Sequence, residues 1–324
     1  MGRILMLSLR RVKEIGENTG FREDIIEKVI RLEKLIYDIF AHPYLSKRLL
    51  LKGGTPLNFC YFNKVRLSVD IDLNYVGKVE VNEMKDERPN IDKSIEKILN
   101  DKGYNLIRKP QEEHTGGKWL FGYQDLWGDN KNLELDINYL FRIPVGNPHS
   151  IKFKVFQDSK EFKVILVSKE ELFSGKTVAT LFRNSAKDLY DLANIARYSG
   201  EYDGCLFRKT VILLGASQRR DFREIKPNII QDITENEVKN SLFPLVQRNE
   251  SISREELLKT VEPFVTELLN LKPEEKEFLD RLLDNAEYIP SLLFKEYPEL
   301  SKQLEKHPAL LWKRMNVEKY LRSQ

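Results

Sequence analysis

From Leu67 to Leu73 the chain alternates. Leu67, Val69, Ile71 and Leu73 fall on one face of an extended segment, and Ser68, Asp70, Asp72 and Asn74 on the other. The pattern predicts a half-buried strand whose polar face carries two acids. Upstream, Leu49–Leu51 is an apolar run of strand type, too short for a helix. Gly53 and Gly54 follow, a pair that accepts positive φ and lets a ligand approach the backbone. Thr55 then suits an N-cap and Pro56 the first helical position, opening about two helical turns.

The same periodicities organise the remainder. Phe21–Phe40 places Ile25, Val29, Leu32, Leu35, Ile36, Ile39 and Phe40 on one stripe and predicts a packing helix bracketed by Gly20 and His42-Pro43. Residues 78–118 are polar, with one helix expected at Ile91–Asn100 and a loop around His114-Thr115-Gly116-Gly117. Trp119–Tyr123 and Asn132–Tyr139 predict a hairpin. Its second strand repeats the earlier pattern, with Leu133, Leu135, Ile137 and Tyr139 opposed to Glu134, Asp136 and Asn138. Ile151–Phe156 and Phe162–Val167 form a further strand pair.

At Ser168 the character changes to helix. Ser168 with Glu171, and Ser185 with Asp188, have capping-box spacing and open helices through about Phe182 and Tyr198. Residues 205–324 are helical by pattern, with starts at Ser253 and Pro273 and segments at Ser291–Tyr297 and Pro308–Leu321. Three parts follow: N-terminal helices over 1–48 packing on the core, a strand-rich core over 49–167, and a helical domain over 168–324. The fold class is α+β.

Composition narrows the partners. The chain has 324 residues, 41% hydrophobic and 32% charged, enough for a sizeable core. No apolar run approaches the ~20 residues a membrane helix needs, so a cytoplasmic protein with no membrane partner is expected. Met1-Gly2 without Ser or Thr at position 6 argues against myristoylation. Cys60 and Cys205 are far apart in no metal spacing and read as reduced core thiols. A net charge of +3 is compatible with a nucleic-acid partner but does not require one. The basic cluster Gln218–Lys226 is either solvated surface or an RNA-backbone contact.

The chemistry therefore rests on the carboxylates. Asp70 and Asp72 suit a hard cation such as magnesium, or manganese, bridging a nucleotide's phosphates. Asp136 on a second strand is either a third ligand or part of a solvated sheet face. Lys187 and Asp191, four apart, fit a surface ion pair worth ~0.3–0.5 kcal/mol. None of His42, His114, His149 and His307 sits in a zinc or nucleophile pattern, and no Walker loop, dinucleotide fingerprint or serine elbow is present. Clustered acids, a Gly-Gly turn before a helix and a later lysine suit nucleotidyl transfer, where positioning and charge neutralisation supply most of the rate.

LKGGTPLNF, RLSVDIDLNY and GKTVATLFRNSAKDLYDL, in that order, resemble the AbiEii-type toxin family. These are nucleotidyltransferases of the DNA polymerase β-like superfamily from type IV toxin–antitoxin and abortive-infection systems. The family's Gly-Gly and Asp-x-Asp fall on Gly53, Gly54, Asp70 and Asp72. Its later lysine falls on Lys176, and its Arg/Lys-Asp-x-x-Asp motif on Lys187, Asp188 and Asp191. The match runs from about Phe21 to Tyr198, with a fainter echo at Asp221-Phe222-Arg223, and Pro56 stands where alanine is usual.

The resemblance implies a mixed β-sheet with flanking helices, a helical C-terminal domain that contributes Lys176 and Asp191 to the site, and metal-dependent transfer of NMP from an NTP. The expected acceptor is the 3′ end of tRNA or another RNA, and the expected partner a cognate antitoxin encoded alongside. Asp70 and Asp72, with Asp136 as candidate third, would hold the metal; Gly53, Gly54, Thr55, Arg66, Ser68 and Lys187 would meet phosphate. Lys176 would contact the triphosphate, and Asp191 with Asp188 would position the acceptor or nucleotide. A metal-dependent ribonuclease and a non-catalytic nucleotide-sensing module are the rival expectations; the first would shorten RNA and the second would bind NTP without turnover.

Overall fold

The computed structural model describes residues 7–110 and 116–323. Residues 1–6, and His114 and Thr115 of the expected loop, lie outside the described residues. The chain divides into two compact units. The first comprises residues 1–142, 148–167 and 243–251, and the second 143–147, 168–242 and 252–324.

The first unit is built on a seven-stranded mixed sheet in the order β3-β4-β5-β2-β1-β7-β6. The strands are β1 (Leu49–Lys52), β2 (Asp70–Tyr75), β3 (Asn105–Arg108), β4 (Gly116–Gln124), β5 (Asn130–Asn138), β6 (His149–Phe153) and β7 (Phe162–Leu166). β1 is an interior strand beside the central β2, and its Leu49, Leu50 and Leu51 are all buried, as expected of a strand covered on both faces. β2 pairs antiparallel with β1 and parallel with β5. The predicted hairpin is β4–β5, closed by Asp125, whose Oδ1 accepts from the amides of Trp127 and Asp129.

Two helices precede the sheet, α1 (Leu9–Thr19) and α2 (Glu23–Ala41), separated by Gly20 in the left-handed region at φ 75°. Ile26, Val29, Ile30, Leu32, Leu35, Ile36 and Ile39 of α2 share one hydrophobic core with Ile71 and Leu73, so α2 covers the apolar face of β2. Two α2 glutamates are also buried. Glu27 accepts from the amide of Leu126 and Glu33 from that of Val155, tying distant turns to the helix. Residues 243–251 belong to this unit because Leu245 accepts from the amide of Leu67 at 2.7 Å, and Arg248 bonds the Gly20 carbonyl and pairs with Glu23.

Some expectations change. Leu67–Val69 precede the strand instead of opening it, Leu67 being spent on Leu245. The helix after the Gly-Gly turn, α3 (Gly54–Pro56), is capped by Gly53, not Thr55, so Pro56 is third in the helix and not first. It runs on as a π-turn over Leu57–Tyr61. The helix expected at Ile91–Asn100 is α4 (Val81–Asp101), ten residues longer at its start and carrying Pro89 inside it. Its buried stripe is Met84, Arg88, Ile91, Ile95 and Leu99; an arginine in a core position disguises the period. Arg88 is housed there over the Tyr139 ring at 4.7 Å. The edge strand β3 has four exposed residues and hence no alternation to detect.

The second unit contains α5 (Lys169–Arg183), α6 (Ala186–Ala196), α7 (Gly204–Ala216), α8 (Glu235–Glu237), α9 (Arg254–Leu269), α10 (Pro273–Asn285), α11 (Pro290–Leu293), α12 (Pro298–Leu304) and α13 (Pro308–Arg322). Ser168 caps α5 through the amide of Glu171, while the Glu171 carboxylate accepts from Val145, which draws residues 143–147 into this unit. The segment expected at Ser291–Tyr297 is only the single turn α11, and Pro298 then starts α12. In the basic cluster, Arg223 is structural. It pairs with Asp221, Asp280 and Asp284 and so ties the turn to α10, while Phe222 is buried against Gly215 of α7. Cys60 is partly buried but Cys205 is exposed, which corrects its assignment to the core.

Candidate functional site

In the first unit the Gly-Gly turn, the loop before β2 and the polar face of β2 come together. Gly53 has φ +77° and ψ −158°, a conformation essentially restricted to glycine. The restriction is also spatial, because a Cβ there would lie 2.1 Å from Asp72 Oδ2. A Cβ on Gly54 would meet Arg66 Nη2 at 2.9 Å and Ser68 Oγ at 3.0 Å. Five of the sequence-predicted residues, Gly53, Gly54, Arg66, Ser68 and Asp72, therefore share one cluster. Arg66 and Ser68 are buried within it, and Arg66 Nη1 donates to the Leu67 carbonyl.

Thr55 is buried too, and its hydroxyl donates to the Asp70 carbonyl at 2.6 Å. Its side chain is thus a brace between helix and strand, which fixes Asp70 from behind.

Register decides what surrounds the acids. Asp70 is opposite Glu134 and Asp72 opposite Asp136 on β5, so all four carboxylates lie on one face. Lys52 of β1 is opposite Asp72, and Lys118 of β4 is opposite Asp136. Lys118 Nζ bonds Glu134 at 3.0 Å. That bond raises the Lys118 pKa, with the charges of Asp70 and Asp136 adding to it, and it lowers the Glu134 pKa. Lys52, Lys118 and Glu134 were missed in the sequence. For Glu134 the signal existed, since it shares the alternation of Asp136. The two lysines join the face only through strand pairing.

Asp70, Asp72 and Asp136 remain partly exposed. Among the described residues no three His, Cys, Asp or Glu side chains form a ready-made metal cage. The donor set nevertheless fits a magnesium ion, which takes one or two carboxylates, keeps several waters and completes its shell with substrate phosphate oxygens.

In the second unit Lys176, on α5, is held by two acids of α6. Its Nζ lies 2.8 Å from Asp188 Oδ1 and 3.0 Å from Asp191 Oδ2. Asp191 is fully buried and pairs with the partly buried Lys176, so the surface pair with Lys187 is not its role. Thr180 locks the two helices by donating to the carbonyls of Lys176 and Asp188. Ser185 caps α6 without a side-chain hydrogen bond, and Asp188, expected to complete that cap, is committed to Lys176. Lys187 is partly exposed.

A family model described as the nucleotidyl transferase AbiEii toxin of type IV toxin–antitoxin systems matches residues 34–294. No curated protein matches the sequence. Among solved structures, the chain is similar to the nucleotidyltransferase toxin MenT4 from Mycobacterium tuberculosis H37Rv, with a TM-score of 0.60. The identity is 16%, and the likeness covers 93% of this chain and 99% of that one, which establishes the fold.

Proposed function

The chain belongs to the AbiEii family of nucleotidyltransferase toxins from type IV toxin–antitoxin systems, and from that premise we propose that it transfers NMP from an NTP to the 3′ end of an RNA, tRNA being the expected class. The observation that carries the proposal is the contact of Asp72 with the positive-φ Gly53. It sets a carboxylate directly against the turn, on a strand face that carries a second acid two residues away.

In this reading Asp70 and Asp72 hold a divalent cation, magnesium or manganese, with Asp136 beside Asp72 as further ligand. The bound cation would neutralise phosphate charge and assist departure of pyrophosphate. The residues supply the rest. Gly53 and Gly54 let Asp72, Arg66 and Ser68 close on the turn that cradles phosphate, and Thr55 fixes Asp70. Lys176 is the candidate cation for the triphosphate, held in one rotamer by Asp188 and Asp191. Asp191 and Asp188 position the acceptor or nucleotide, with Lys187 near phosphate. Family membership implies a cognate antitoxin, which would hold the activity in check. Among the described residues no helix is long and apolar enough to cross a membrane.

The test is incubation of the full chain with each radiolabelled NTP and total RNA. Label should enter RNA with one base preferred, and Asp72→Ala should abolish it. Undiminished transfer by that variant removes the assignment; RNA that shortens points to a nuclease.

A further inference from the structure

We propose that the first unit carries a second ligand site, a cavity of about 240 Å³ between α1, α2 and the β6–β7 turn that takes a small organic anion. Its apolar lining is Ile30, Tyr37 and Phe162, the two rings meeting edge to face at 5.2 Å. Its charged lining does not cancel in place. Arg11 is matched by Asp158 at 2.6 Å and Lys102 by Asp38 at 3.0 Å. Glu33 is occupied by the protein itself, accepting from the Val155 amide at 2.7 Å and the Ser159 hydroxyl at 2.6 Å.

Lys34 and Lys160 remain. Among the described residues Lys34 has neither an ion pair nor a hydrogen bond, although it is half-buried. Burial, and then the charges of Arg11, Arg31 and Lys102, push its pKa below the usual lysine range, with Glu33 as partial compensation. Lys160, exposed at the rim, lies 4.9 Å from the Tyr37 ring centroid and 3.4 Å from its hydroxyl, and among the described residues it has no carboxylate partner. A half-buried ammonium without a counter-ion is costly, and an anion in the cavity removes the cost.

The size and lining define the occupant. The volume falls below the roughly 300 Å³ lower end of drug-sized ligand pockets, which suits a ligand smaller than a nucleoside triphosphate. An apolar ring bearing one phosphate or carboxylate fits, with the ring against Tyr37, Phe162 and Ile30 and the charge at Lys34 and Lys160. The cavity also lies apart from the acidic face, since α2 covers the Ile71 and Leu73 side of β2.

Phenyl phosphate is the probe, titrated calorimetrically into the full chain alongside inorganic phosphate and benzyl alcohol. Saturable binding of phenyl phosphate is expected, with benzyl alcohol silent. Loss of one charge-assisted contact in Lys34→Met should weaken binding by about tenfold or more. The Tm of unliganded Lys34→Met should not fall, because the variant removes a cation without a partner. Lys160→Met provides an independent second variant with the same expected loss, and Tyr37→Leu should erase the preference for phenyl phosphate over inorganic phosphate. Asp70→Ala/Asp72→Ala should bind the probe as wild type does. Absence of saturable binding, affinity unchanged in both lysine variants, or loss of binding in the double aspartate variant would each overturn the proposal.

Discussion

Gly53→Ala tests the site's geometry most directly. The new methyl would lie 2.1 Å from Asp72 Oδ2 and 2.9 Å from both Asp72 Cβ and Cγ, so the carboxylate must move. Two costs add. Holding a non-glycine residue at φ +77° and ψ −158° costs about 1–3 kcal/mol. Forcing the extra methyl into an occupied space costs about 1–3 kcal/mol more. At roughly 2–4 °C per kcal/mol for a domain of this size, Tm should fall by at least about 4 °C. Transfer should fall further than stability implies, because displacement of a reacting group by ~1 Å costs on the order of 10²-fold.

Gly54→Ala is the control. Its Cβ would meet only the outer ends of Arg66 and Ser68, at 2.9 and 3.0 Å, and those side chains give way more readily than a carboxylate against backbone. Initial rates of label transfer and thermal melts on both variants decide the matter. Wild-type rate and Tm in Gly53→Ala, or equal damage from Gly54→Ala, would refute the reasoning.

Other perturbations probe separate parts. Lys176→Met takes the ammonium away from the fully buried Asp191 and from Asp188, which keeps only the longer pair with Arg183 at 3.7 Å, so urea denaturation should register a loss of up to about 3–5 kcal/mol, whereas Asp188→Asn should lose less. Thr55→Val removes the brace on Asp70 and should cost about 1–2 kcal/mol with reduced transfer, while Thr55→Ser should keep both near wild type. In thiol titration with a disulfide reagent at neutral pH, exposed Cys205 should react fast. Cys60 should lag, since burial pushes its thiol up to about 12 and keeps it protonated. Hydrogen bonding to Arg223 holds Asp284 below its ordinary range, and the same arginine lowers Asp221 against the upward pull of burial. Their stabilisation is therefore present above the unfolded aspartate value of about 4 and is lost as pH falls through the lower folded values. Arg223→Met should destabilise the chain at pH 7, and the gap from wild type should narrow in melts taken below about pH 4.

The local part of this protein was written in its sequence. Alternation from Leu67 to Leu73 identified the face that carries Asp70 and Asp72, the Gly-Gly pair identified the turn beneath it, and Ser168 and Ser253 marked helix starts that the structure retains. These signals are legible because side-chain direction along a strand or helix depends on a few neighbouring residues. What touches that face is another matter. Lys52, Glu134 and Lys118 take their places only when β1, β5 and β4 fall into register with β2, and Asp188 abandons a capping role for Lys176 only once α5 packs on α6. Arg88 and Pro89 hid a long helix because a cation over an aromatic ring can fill a core position that periodicity reserves for an apolar residue. Strand pairing and helix packing join residues far apart in the chain, and no local period encodes their distance.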